Sequence, residues 1–302
     1  GYGETGMAHL LEHMLFKGSP AFPDPWQLLQ DHGAAFNGTT WYDRTNYYET
    51  MPATPENLEW ALRFEADRMH NSAIDPKVLA KEFSVVRNEF EMGESYAPGV
   101  LDERILSTAF LWHNYGKSTI GSRSDIENVP ATALRAFYER YYQPDNAVLV
   151  VAGAFDPKRA LELVQECFGS IPRPKRELPP TYTVEPVQDG ERTVSLERVG
   201  EVGVVGVLYH GVAGADPDYV AGEALLHVLT DEPSGRLYKP LVENGVASAV
   251  YGSTQPLHDP GWVQITAEVP AGKPVQPVRD EVLALVQGAV DTITEDEVTR
   301  FR

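Results

Sequence analysis

"HLLEHMLFKG", residues 9–18, is a helical pattern with an unusual interruption. Leu10, Leu11, Met14, Leu15 and Phe16 would cover most of the surface of a helix, yet His9, Glu12 and His13 form a narrow polar stripe among them. Residues 9 and 13 are four apart, so they project from one face of a helix, and Glu12 stands beside them. The bland reading is a solvated polar face. It is weakened here because no other polar residue appears until Lys17. A carboxylate or imidazolium buried without a partner is costly, so such a stripe needs compensation. A divalent metal would supply it, with both imidazoles ligating as neutral rings.

A catalytic metal of this kind usually has three protein ligands and one open position, so a third ligand is expected elsewhere. "KEFSVVRNEFE", residues 81–91, offers it. Glu82 and Glu89 are seven apart, two helical turns, and share a face, with Phe83, Val86 and Phe90 packing nearby. Glu91 and Glu94 point elsewhere. Taken alone, two glutamates on a helix are most often a solvated face.

The chain has 302 residues, 42% hydrophobic and 10% aromatic, which suffices for one large domain or two of ordinary size. No run approaches the roughly 20 apolar residues of a membrane-spanning helix. A net charge of −19, spread along the chain, disfavours nucleic acid and anionic membrane surfaces and favours cationic peptides. The one cysteine, Cys167, has no partner for an internal disulfide and reads as a small core residue. No targeting segment is visible, so the compartment stays open.

The order of elements predicts an α+β fold. Residues 33–52 read as a hairpin of two strands, its turn at either Asn37-Gly38 or Tyr42-Asp43-Arg44. Helices are predicted over 54–70, from Pro76 to about 93, and over 130–142. "NAVLVVAGAFDP", residues 146–157, reads as a buried strand followed by an Asp156 cap and a helix to 168. Prolines at 172, 174, 179, 180 and 186 mark a linker. Beyond it, strands are predicted at 193–198, 202–210, 246–254 and 262–269, and helices at 218–229, 235–244 and 275–290. Thr294 and Glu297 form a capping-box pattern. The expected domains are 1–170, which bears the metal; a proline-rich linker, 171–191; and 192–302, a second domain of similar layout without metal. Each is a mainly antiparallel sheet packed with helices on one side. The chain opens without a methionine and stops inside a helix, so both ends are expected to be truncated.

His9-Leu10-Leu11-Glu12-His13 is the inverted form of the common zinc-peptidase signature. Together with Glu89, the block "GMAHLLEHMLFKGS", "FNGTT" followed by "RTNYYET", and "SVVRNEF", it is similar to the pitrilysin and insulinase family of zinc peptidases, which includes the mitochondrial processing peptidases. The resemblance spans nearly the whole chain. It implies a zinc metalloendopeptidase with one Zn2+ held by His9, His13 and Glu89, with Glu12 as general base and Glu82 in a supporting role beside the metal. It also implies that Phe36, Asn37, Gly38, Thr39 and Thr40 form an edge strand to which a peptide substrate adds, which favours the strand reading of Asn37-Gly38.

The chain departs from the family pattern in one place. Family members hold the substrate carbonyl with an arginine and a tyrosine, in a stretch similar to residues 235–252. Val242 and Ser248 stand at the matching positions; Arg236 and Tyr238 fall in the wrong part of the motif. A second homologous half, fused or separate, is therefore the expected partner that supplies Arg and Tyr. The alternative function is a non-catalytic, peptide-binding core subunit of the same fold, but such subunits usually lose metal ligands. A structural zinc site would need a fourth protein ligand, and none is evident nearby. His32, His70, His113, His210, His227 and His258 lack partners at metal-ligand spacing.

Overall fold

The first helix, α1 (Met7–Met14), takes its seat from its apolar positions: Leu10, Leu11 and Met14 are fully buried among Ile74, Leu79, Val86, Ile126 and Leu134. These positions come from a computed structural model, which describes residues 4–200, 202–289 and 291–300. Gly6 caps α1 in a left-handed conformation (φ 79°), and a Cβ there would stand 2.3 Å from the carbonyl oxygen of Ile120. Only glycine fits that position.

Asp24 accepts a hydrogen bond from Gln27 N and starts α2 (Pro25–Asp31). Strands β1 (Ala35–Thr40) and β2 (Thr45–Thr50) pair antiparallel, with Gly38 opposite Tyr47 and Thr40 opposite Thr45. The turn lies at 41–44, closed by Trp41 N donating to Arg44 O at 2.8 Å, so Asn37-Gly38 is mid-strand. Helices α3 (Pro55–Asn71) and α4 (Pro76–Gly93) both open on proline after a capping residue, Thr54 and Asp75. On α4, Leu79 and Val86 are seven apart and buried, while Phe83 and Phe90 pack against the same core.

Two units divide the chain: Gly1–Glu91 with Ser118–Tyr182, and Met92–Lys117 with Thr183–Arg302. Helix α5 (Ala97–Ala109) therefore belongs to the second unit, an excursion that contiguous blocks of sequence do not reveal. The first unit resumes with α6 (Arg123–Asn128), α7 (Ala131–Tyr141) and α8 (Pro157–Phe168), the last capped by Asp156.

In the second unit β3 (Gly203–His210), α9 (Tyr219–Thr230), β4 (Ala249–Thr254), β5 (Trp262–Val269), α10 (Val275–Ala289) and α11 (Glu295–Thr299) follow in order. The antiparallel sheet has the order β3-β5-β4. Val205, Val207, Ile265 and Ala267 form one core with Leu226 and Leu229 of α9 and Val278 and Val282 of α10. Gln264, on the other face of β5, hydrogen-bonds Asp102 of α5 at 2.6 Å. The Thr294/Glu297 capping box is formed. Between β3 and β4, only Tyr238–Glu243 of the helix expected at 235–244 is helical, as a π-type turn.

Two expected strands are corrected. Residues 147–152 join no sheet among the described residues, and Val148 and Val150 are 91% and 80% exposed. Residues 193–198 likewise join none. A β-branched run has the propensity for a strand, but a strand exists only with a ladder partner. Among the described residues, no helix is long and apolar enough to cross a membrane.

Candidate metal centre

The apolar face of α1 is locked into the core, which fixes the direction of its polar stripe. Two turns of α4 run beside it. His9 Nε2 lies 3.6 Å and His13 Nε2 3.4 Å from Glu89 Oε2. The ligand atoms of these three residues all lie within 4.8 Å of one another, and no other such trio of His, Cys, Asp or Glu occurs among the described residues. The two imidazoles meet edge to face, centroids 4.7 Å apart.

Glu82, one of the few buried charged groups, sits behind His13. Its Oε1 is 2.9 Å from His13 Nδ1, and its Oε2 is 2.8 Å from Lys17 Nζ. Burial alone would raise the Glu82 pKa, but the hydrogen bonds from His13 and Lys17 outweigh it and hold the carboxyl below its ordinary range. An ionised carboxylate only accepts, so His13 donates through Nδ1–H, and when the ring is neutral its lone pair is on Nε2, on the Glu89 side. His9 is lowered to about 4, first by burial and second by the charge of His13, so it is a neutral ring. Its Nδ1 is buried without a hydrogen-bond partner.

Glu12 is 8% exposed. Burial raises its pKa, while a hydrogen bond from Thr40 Oγ1 to Oε2, 2.6 Å, works against that rise. Glu12 thus presents a buried carboxyl, raised by burial, beside the ligand cluster.

The donor set suits zinc. Two donors about 2.0–2.1 Å from a tetrahedral zinc ion stand about 3.3–3.4 Å apart, close to the 3.4 and 3.6 Å separations found here. Once His13 gives up its proton both imidazoles are neutral, and Glu12, Glu82 and Glu89 against Lys17 then leave a formal charge of −2, which a dication would neutralise. Two nitrogens and one carboxylate oxygen are common zinc donors.

All five residues expected around the metal, His9, Glu12, His13, Glu82 and Glu89, thus lie together in the first unit. Of the expected substrate strand, Asn37 and Thr39 are exposed, while Phe36, Gly38 and Thr40 are wholly or partly covered. Phe36 packs on Trp26 (centroids 4.8 Å) and Phe16. Lys17 and the contact of Thr40 with Glu12 were not anticipated; the only signal for Lys17 was its place four residues beyond His13.

Val242 packs against the second core, and Ser248 Oγ donates to Glu268 O. Arg236 is committed to Glu297 through two 2.7 Å hydrogen bonds and to Thr292, and Tyr238 donates to Glu232. These engagements leave Arg236 and Tyr238 structural roles inside the second unit.

Residues 3–123 match the family model described as insulinase (peptidase family M16), and residues 128–302 match the one described as the peptidase M16 inactive domain. The five clustered residues fall in the former. The chain is 28% identical over 94% of its length to zinc protease PqqE of Helicobacter pylori, covering 65% of that protein. It is 30% identical over 97% of its length to an uncharacterized zinc protease of Mycobacterium leprae, covering 66%. A crystal structure of a protease from Helicobacter pylori superposes with a TM-score of 0.93 at 27% identity, over 99% of this chain and 73% of that one. The chain thus spans about two thirds of the length of the curated relatives it matches. Two family models that together take in almost every residue leave no other assignment: the chain belongs to the insulinase family of peptidases, family M16.

Proposed function

We propose that this chain is the metal-bearing half of a zinc metalloendopeptidase that hydrolyses peptides or unfolded small proteins. The observation that carries this reading is the convergence of His9, His13 and Glu89, whose ligand atoms all lie within 4.8 Å of one another, beside the buried carboxylate of Glu12. The names of the relatives, zinc proteases, support the choice of metal.

In this reading His9, His13 and Glu89 hold one Zn2+, which when bound polarises the scissile carbonyl and acidifies a water toward a pKa of about 7. Glu12 takes the proton of the attacking water and hands it to the departing amine nitrogen. Glu82 keeps the His13 ring in the tautomer that presents Nε2.

A substrate strand would add along Phe36–Thr40. Among the described residues β1 pairs only with β2, which leaves its other edge for backbone hydrogen bonds. The net charge of −19 favours basic segments. A second homologous half, fused or separate, supplies the Arg and Tyr that Val242 and Ser248 do not.

The test is metal analysis with a quenched-peptide assay on the chain combined with its second half, with and without chelator. Glu12→Gln is expected to keep one zinc per chain and abolish turnover. Stoichiometric zinc with no hydrolysis by the wild-type assembly would instead identify a non-catalytic, peptide-binding subunit.

A further inference from the structure

Strand β1 meets α1 at two alternate positions, Gly38 and Thr40, and both lie against Glu12. Thr40 Oγ1 donates to Glu12 Oε2 at 2.6 Å, bridging 28 residues of chain. On its far side Thr40 Oγ1 lies 3.2 Å from Thr45 Oγ1, its partner across the ladder. Thr45 in turn meets the Tyr142 hydroxyl, and Tyr142 Oη is 2.8 Å from Tyr47 Oη. A threonine hydroxyl carries one proton and can accept others. With that proton given to a carboxylate, Thr45 must be the donor to Thr40. A row of hydroxyls from the interior therefore ends on one oxygen of Glu12.

Gly38 governs the other side of the same carboxylate. A Cβ at Gly38 would stand 2.9 Å from Glu12 Oε1 and 3.0 Å from its Cγ. The absent side chain lets the carboxylate lie against the strand, while the hydroxyl row fixes its rotation. Oε2 is held by Thr40, and Oε1 lies against Gly38.

We infer that Thr40 is a positioning residue for the general base: its hydroxyl, backed by Thr45, Tyr142 and Tyr47, sets the rotamer of Glu12, so that one strand both receives the substrate and aims the base. The catalytic part of this inference rests on the peptidase reading above; the positioning part does not. A misplacement of a reacting group by about 1 Å costs about 100-fold in rate, so a single hydrogen bond can matter here.

The experiment pairs crystal structures with kinetics for Thr40→Val, which keeps the shape and removes the hydroxyl, and Thr40→Ser, which keeps the hydroxyl; Thr40→Ala serves if the valine variant does not fold. In the wild type and Thr40→Ser, Glu12 is expected in one rotamer against Gly38. In Thr40→Val it is expected to rotate or split, with zinc content unchanged. In the assembled enzyme kcat should fall about 10- to 100-fold with KM unchanged, and serine should restore it. Adding Thr40→Val to Glu12→Gln should cost nothing more. An unmoved Glu12 in Thr40→Val, or a serine variant as impaired as the valine one, overturns the inference. A rotamer freed by Thr40→Val in a protein whose wild type has no Glu12-dependent hydrolysis upholds the positioning role and sinks the peptidase reading instead.

Discussion

His13 Nδ1 and Glu82 Oε1 lie 2.9 Å apart, and this bond, rather than any property of α1 alone, decides which nitrogen of His13 faces Glu89. A carboxylate behind a metal-bound histidine fixes its tautomer and raises its basicity, and losing one typically weakens metal binding about 10- to 100-fold. Glu82→Ala is therefore expected to weaken zinc by that factor in a competition with a chromophoric chelator. An unchanged affinity would mean that packing alone holds the ring.

The two histidines differ in what zinc must displace. His9 is neutral already, lowered to about 4 by burial and by the charge of His13. Burial pulls His13 the same way, but its hydrogen bond to Glu82 and the carboxylates of Glu89, Glu82 and Glu12 outweigh that and raise it above 6.5. Below its raised value His13 carries a proton that must leave before the ring can ligate. Zinc affinity is expected to climb about tenfold per pH unit there and level off above it. Calorimetry in buffers of different ionisation enthalpy should count about one proton released on the acidic side. A flat profile would mean that His13 is not a ligand.

The chemistry of this site was legible because it is local: His9, Glu12 and His13 share one helical turn, and Glu82 and Glu89 share one face of the next long helix. Capping residues were legible for the same reason, at Asp156 and Thr294. What failed was non-local. Val148 and Val150 have the composition of a buried strand, yet no ladder partner exists for them among the described residues, and composition cannot report a partner. Helix α5 belongs to the second unit through partners far along the chain, such as Gln264, which meets Asp102 from 162 residues away, and local pattern does not report such partners. The contact of Thr40 with Glu12 was hidden likewise, since the sequence marks Thr40 only as part of a substrate-receiving strand.

Gly6 carries a third prediction, about the start of α1. Its φ of 79° and the 2.3 Å from a would-be Cβ to Ile120 O leave no room for a side chain at the start of α1. Gly6→Ala is expected to destabilise the first unit by at least about 2 kcal/mol in urea unfolding, combining backbone strain with a steric clash. Because α1 carries both imidazoles, zinc binding should weaken in the same variant. Wild-type stability in Gly6→Ala would show that the helix can begin elsewhere.

Behind the metal cluster, Arg68 is 4% exposed and its guanidinium lies over the rings of Phe16, Tyr47 and Phe64, at 5.2, 4.7 and 4.5 Å from their centroids. It faces Glu65 and Glu49, which compete for one cation. Burial, then the charge of Glu65 and a hydrogen bond to it, push Glu49 up to about 8 in spite of Arg68. A folded-state value above the unfolded 4.5 means that folding favours the protonated form. The contribution is then full below about pH 4.5 and is lost as the pH rises through about 8. Glu49→Gln, which mimics the protonated carboxyl, is expected to match the wild type near pH 5, to exceed it increasingly up to about pH 8 and to keep a constant margin above that, as read from thermal midpoints across that range. A difference that stays constant with pH would mean that Glu49 is ionised in the folded protein, with Arg68 serving Glu49 before Glu65.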